Sequence, residues 1–190
     1  MIMPTTALFE QVTIAGFGGQ GIMLAGKLLA QTAMHAGRQV TYMPSYGAEV
    51  RGGAANCSVV IANEPIASPA VSKPDSLIAM SKASLNKFGP CLKKGGLLIM
   101  NSSLIDTDPC LDGSIEIIKI PADQIAIELG NIKVANMVAL GAYLAAKGIL
   151  NPDAAADCLA DVLAERYHKT IPVNAQALRK GAEFAREHRR

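Results

Sequence analysis

The sequence predicts an α/β fold with a doubly wound, mostly parallel sheet and a helical C-terminal third. Three observations carry this. Short apolar runs alternate with helix-period segments through the first 120 residues. A glycine cluster stands between the first such run and the first helix. Beyond that point the apolar positions recur at helical spacing only. The length, 190 residues, suits one domain covering residues 1–190, and half of the residues are hydrophobic, enough for a real core.

The first strand is expected over residues 11–16 and the first helix over 21–36, where Lys27, Gln31 and His35 form a polar stripe spaced by four. Gly37 ends that helix, and residues 39–43 form the next strand, completing a right-handed βαβ unit. Residues 44–53 hold three glycines and a proline and read as a loop. Strands follow at 57–62 and 76–80, a helix at 82–91 interrupted near Gly89-Pro90, and strands at 97–100 and 115–120. Helices are expected over 121–129, 134–147, 152–167 with Asn151 as cap and Pro152 behind it, and 174–190 with Asn174 as cap.

Composition excludes several function classes. Eighteen basic against 16 acidic residues give a net charge of +2, so no strong field points at nucleic acid. Trp is absent and aromatics are 4%, which argues against a base-stacking surface. No stretch approaches about 18 uninterrupted apolar residues, and residues 1–9 lack a basic segment followed by an apolar one, so neither a membrane span nor a secretory leader is expected. Cys57, Cys91, Cys110 and Cys158 are scattered without a CxxC pair, as in a reduced cytoplasmic protein without a cysteine-built metal site. No Ser-His-Asp or Cys-His grouping has sequence support. His35 and His188 are expected to face solvent, His168 to sit near a helix end, and Asn136 to be a satisfied buried amide.

Two constellations carry chemistry. Gly16-Phe17-Gly18-Gly19-Gln20-Gly21 fits GxGxxG between a strand and a helix, a Rossmann-like setting. Gly16 would permit the tight turn, Gly18 close approach of a phosphate or a backbone, and Gly21 helix-on-strand packing. The helix start favours an anion. The carboxylate that holds a nicotinamide cofactor's ribose should follow about 20 residues later, yet the second strand ends Tyr42-Met43-Pro44 without one. A stand-alone nucleotide-binding oxidoreductase is therefore the minor reading, beside a ligand-free packing turn and a turn that takes a phosphate-bearing ligand or a partner's loop. The second constellation, Ser45-Tyr46-Gly47-Ala48-Glu49-Val50-Arg51-Gly52-Gly53, follows the second strand and so belongs to the same rim. Arg51 can clamp an anion through its planar fork, with Glu49 as its pair and Tyr46 as a stacking or hydrogen-bonding group.

Together these strings resemble the gamma subunit of 2-oxoacid:ferredoxin (acceptor) oxidoreductases. Pro74-Asp75, the glycine-led stretch 95–99, residues 136–141 and Pro172-Val173-Asn174 extend the resemblance over residues 10–181. It implies one piece of an assembly that decarboxylates a 2-oxoacid oxidatively with coenzyme A and thiamine diphosphate and passes electrons through iron–sulfur clusters to ferredoxin. It also implies that thiamine diphosphate sits between the alpha and beta subunits, that the clusters lie on other chains, and that the isolated chain is inactive; apolar surface left over for partners would let the isolated chain self-associate as a homodimer. Gly16, Gly18, Gly19, Gln20, Gly21, Ser45, Tyr46, Glu49, Arg51, Gly52 and Gly53 become the candidate contacts to coenzyme A or to partner chains. The Ser-Tyr-Gly-x-Glu-x-Arg-Gly-Gly string looks most like the 2-oxoglutarate type, with branched-chain and indolepyruvate types as alternatives.

Overall fold

The computed structural model describes residues 8–45 and 54–188. Strands β1 (Phe9–Phe17), β2 (Gln39–Ser45), β3 (Ala54–Ala62), β4 (Ser76–Ala79), β5 (Leu97–Asn101) and β6 (Glu116–Ile120) form one sheet in the order β2-β3-β1-β4-β5-β6. The pairings β1–β4, β4–β5 and β5–β6 are parallel. Strand β3 runs antiparallel to both β1 and β2. The sheet is therefore mixed: β2 points the same way as β1 but is separated from it by the reversed β3. The expected loop over 44–53 also gives way at its ends, since Pro44 and Ser45 pair with Cys57 and Asn56. Strand β2 lies at the sheet edge, where a proline without an N–H is tolerated.

Helices cover both faces. Helix α1 (Ile22–His35) and the later helices α4 (Ala135–Lys147) and α7 (Ile171–His188) lie on the face built by Val12, Ile14, Ile78, Ile99 and Ile118. Helix α2 (Lys82–Phe88), capped by Ser81, places Leu85 on the other face with Ala15, Leu77, Leu98 and Met100. Period-2 alternation explains the division, because successive strand residues point to opposite faces. Helix α4 is buried almost all round, as its continuous apolar sequence requires. It crosses α7 at two glycines: a Cβ on Gly141 would lie 2.0 Å from the carbonyl oxygen of Leu178, and one on Gly181 1.9 Å from that of Val138.

Helix α3 (Ala122–Glu128) matches expectation. The helix expected over 152–167 does not form as one piece. Asn151 caps α5 (Pro152–Asp157), α6 (Leu159–Val162) follows after Cys158, and Leu163 then turns extended ahead of a 3-10 segment, Glu165–Thr170. Helix α7 begins at Ile171 rather than at Asn174. Asn174 is inside the helix, its Nδ2 donating to the Thr170 carbonyl at 2.7 Å, while Pro172 occupies the first turn, where no N–H is needed.

Candidate functional site

The carboxyl ends of β1 and β4 lie side by side, and the chain leaves them on opposite faces, through α1 and α2. Such a divergence opens a crevice where α/β sheets take ligands. The glycine turn lies in it. Gly16 is still extended strand, paired with Ala55, so it does not make the turn as expected. What it supplies is room: a Cβ there would come within 2.9 Å of Gln20, Ile22 and Met80. The turn falls to Gly19 and Gly21, with φ of +96° and +71°. Nothing would meet a Cβ on Gly19 within 4 Å, so that glycine answers to conformation alone, and its surroundings are open.

Gln20 is committed to holding the turn. Its Oε1 accepts from the Phe17 N–H at 2.6 Å, and its Nε2 donates to the Met80 carbonyl at 3.2 Å. Gly21 is the N-cap of α1 with no side-chain cap, so the amides of the first turn keep their polarity toward the crevice. On the other side, Asn136 in the first turn of α4 donates from Nδ2 to the Gly21 carbonyl at 2.9 Å. Only glycine allows this approach, because a Cβ on Gly21 would lie 2.4 Å from that Nδ2. The positive ends of two helix dipoles thus adjoin one turn. Asn136 is 3% exposed, and its Oδ1 is buried without a partner among the described residues. The expectation of a satisfied amide holds for half of this side chain.

Three hollows meet at Gly19. One of about 390 Å³ runs along Phe17, Gly18, Met23 and Ser45. A second, of about 410 Å³, passes between Gly21, Asn136, Lys133, Tyr167 and Asn174. The third, about 150 Å³, lies beside Gln20, Asp123, Ile132 and Lys133. Half-exposed apolar side chains rim them: Phe17 (40%), Ile132 (47%) and Tyr167 (48%). The structure thus brings Gly16, Gly18, Gly19, Gln20, Gly21 and Ser45 together. Tyr46, Glu49, Arg51, Gly52 and Gly53 lie outside the described residues. Lys133 and Asn131, which caps the turn before α4 through Lys133 N–H at 3.1 Å, escape sequence reasoning because they sit in a three-residue connection with no motif.

His35 is exposed but engaged, with Nδ1 3.2 Å from the Cys158 Sγ and Nε2 3.6 Å from Asp161. His168 Nε2 contacts the Leu163 carbonyl at 3.0 Å and braces the extended segment. His188 stacks on Phe184. Cys57, beneath α1, is buried, and its thiol is pushed up to about 12 by loss of solvent.

The model of the pyruvate ferredoxin/flavodoxin oxidoreductase family matches residues 11–184. The chain belongs to that family. The ketoisovalerate oxidoreductase subunit VorA of Methanothermobacter thermautotrophicus is 38% identical over 94% of this chain, which spans only 37% of that relative's length. The 2-oxoglutarate synthase subunit KorC of Methanocaldococcus jannaschii is 35% identical, covering 94% of this chain and 95% of its own length. The gamma subunit of a keto/oxoacid ferredoxin oxidoreductase from Geobacter sulfurreducens superposes with a TM-score of 0.80 at 30% identity, over 94% of this chain and 99% of that one. The resemblance to gamma subunits read from the glycine strings is borne out. Family membership and strand order also oppose the nicotinamide reading: with β3 inserted, the end of β2 lies two strands from the glycine turn, about 10 Å away. No helix among the described residues is long and apolar enough to cross a membrane.

Proposed function

We propose that the chain is the gamma-type subunit of a cytoplasmic, coenzyme A-acylating 2-oxoacid oxidoreductase, folded as one domain over residues 1–190. The observation that carries the reading is the crevice at Gly19, where an open glycine turn, two helix N-termini and Lys133 converge inside an apolar rim. In the reaction of the assembly, the bond between the carboxylate and the carbonyl carbon breaks to release carbon dioxide. The acyl carbon forms a thioester with coenzyme A, the thiol gives up its proton, and an electron pair passes to a ferredoxin-type acceptor. Thiamine diphosphate supplies the carbanion chemistry when bound on the alpha and beta chains, and the iron–sulfur clusters also reside on partner chains. The cysteines here suit no cluster, since all four are free and Cys57 lies in β3, Cys91 in the turn after α2, Cys110 in the loop between β5 and β6, and Cys158 between α5 and α6.

This chain's part is binding and positioning. The backbone of Gly18, Gly19 and Gly21, the positive helix ends and the Lys133 ammonium suit the phosphates of coenzyme A. Gln20 keeps the turn in shape. Ser45, Tyr46, Glu49, Arg51, Gly52 and Gly53 are proposed to complete the contact from the neighbouring loop, with Phe17, Ile132 and Tyr167 seating the partner chains. Similarity to KorC supports 2-oxoglutarate as substrate, and similarity to VorA supports a branched-chain 2-oxoacid as the second reading.

The test is co-purification with the larger subunits, followed by coenzyme A-dependent dye reduction across 2-oxoglutarate, pyruvate and branched 2-oxoacids. Activity should appear only with the larger chains present. Turnover by the lone chain would overturn the reading.

A further inference from the structure

Away from the crevice, at the far end of α1, three side chains of different ligand chemistry converge. His35 is the last residue of α1, Cys158 stands at the break between α5 and α6, and Asp161 lies one turn further on. Their donor atoms all fall within 4.8 Å of one another. We propose that Cys158 Sγ, His35 Nδ1 and the Asp161 carboxylate form a binding site for one soft divalent cation of the zinc class, with water in the remaining position.

The distances fit. Bonds of about 2.3 Å to sulfur and 2.0–2.1 Å to nitrogen place two ligand atoms of a tetrahedral ion roughly 3.5 Å apart. Cys158 Sγ and His35 Nδ1 stand 3.2 Å apart without any ion. Asp161 is exposed and reaches the same point by side-chain rotation, since positions three apart share one face of a helical turn. The other ring nitrogen also has a neighbour: Gln31 Nε2 lies 3.2 Å from His35 Nε2. Ligation through Nδ1 puts the ring proton on Nε2, so the Gln31 amide would turn to present its oxygen, the second partner that a metal-bound histidine needs. Charge balances as well, because a thiolate and a carboxylate neutralise a divalent ion. Cys158 is 2% exposed while His35 and Asp161 face solvent, so the ion would enter from the solvent side and be closed in from beneath.

The break between α5 and α6 falls at Cys158, and Sγ there stands 3.2 Å from His35 Nδ1 at the end of α1. An ion held there would pin α1, whose other end carries Gly21, to the segment that leads on to Leu163 and Tyr167 in the crevice wall.

The test uses the full chain, stripped with a chelator and titrated with Co²⁺ as a spectroscopic probe and with Zn²⁺ by competition. One Co²⁺ per chain is expected, with a sulfur-to-cobalt charge-transfer band in the near ultraviolet that Zn²⁺ abolishes. Cys158→Ser should remove the band, His35→Gln and Asp161→Asn should each weaken binding at least tenfold, and Cys110→Ser should leave it intact. Absence of the band in the wild-type chain, or its survival in C158S, overturns the proposal. Should C158S fail to fold, the exposed D161N decides alone: unchanged Co²⁺ affinity overturns the site, and a tenfold loss supports it.

Discussion

The two rims of the sheet are built from the ends of the same strands and treat polar groups in opposite ways. At the amino ends of β1 and β4 the acidic groups are paired. Glu10, buried at the start of β1, accepts from Ser76 Oγ at 2.6 Å and pairs with Lys147 at 2.9 Å, with the Tyr143 hydroxyl 3.4 Å away. Beside it, Asp75 accepts from the Gln11 N–H at 2.9 Å and from Lys93 at 2.7 Å. At the carboxyl rim, Asn136 Oδ1 has no partner among the described residues, Gly19 faces open space, and Lys133 is exposed. The contrast teaches where stability is made and where binding capacity is kept: satisfied groups hold the fold, and uncommitted ones are left for what arrives later.

That contrast breaks most visibly at Glu10. Glu10→Ala leaves Lys147, Ser76 and Tyr143 without their acceptor and should cost about 3 kcal/mol in urea denaturation, the scale for breaking a buried ion pair. Ligand affinity of the folded fraction should not change. Next is Gly21→Ala, which forces a Cβ into left-handed backbone and onto Asn136. A loss of about 2 kcal/mol is expected, and unlike the change at Glu10 it should also abolish coenzyme A-dependent turnover of the assembled enzyme. Lys133→Ala sharpens the comparison from the other side. Melting should shift by less than about 0.5 kcal/mol, while the KM for coenzyme A rises on the order of tenfold, worth about 1.4 kcal/mol. An unchanged KM would make the crevice an assembly surface only.

At neutral pH the smallest effect concerns Cys57. Its folded-state thiol, near 12, lies above the ordinary value of 9.0, so the folded chain holds its proton longer than the unfolded chain does. The stability it contributes is complete below pH 9 and is lost as pH rises from 9 toward 12. Denaturation curves across alkaline pH should show this fall, and Cys57→Ala should flatten it. At neutral pH an alkylating reagent should label exposed Cys110 and spare Cys57.

Much of this was legible in the residues. Apolar runs located all six strands, and the continuous apolar segment 134–147 located the central helix. What escaped was relational. Strand β3 is buried on both faces, with Cys57, Val59, Val60 and Ile61 all inaccessible, so its apolar run reads alike in either direction and cannot reveal the reversal. Asn174 looks like a cap on propensity alone, yet the helix starts three residues earlier, at Ile171, with Pro172 in its first turn. His35 looks solvated because its partner Cys158 lies 123 residues away. At the crevice, the glycines were legible because conformation and close approach demand them. Lys133 was not, since a lone cation in a short connection has no pattern, and only the fold brings it to the turn.

A parallel crossover after β2 would have carried the chain to the opposite end of the sheet before it could pair again. The β2–β3 pairing instead closes with Ser45 opposite Asn56, so the eight residues between Ser45 and Ala54 leave and re-enter the sheet at the same place. The strand register on either side, Ser45 with Asn56 and Phe17 with Ala54, is set by β1, β2 and β3 themselves, so a change of sequence between Ser45 and Ala54 leaves the framework's pairing untouched.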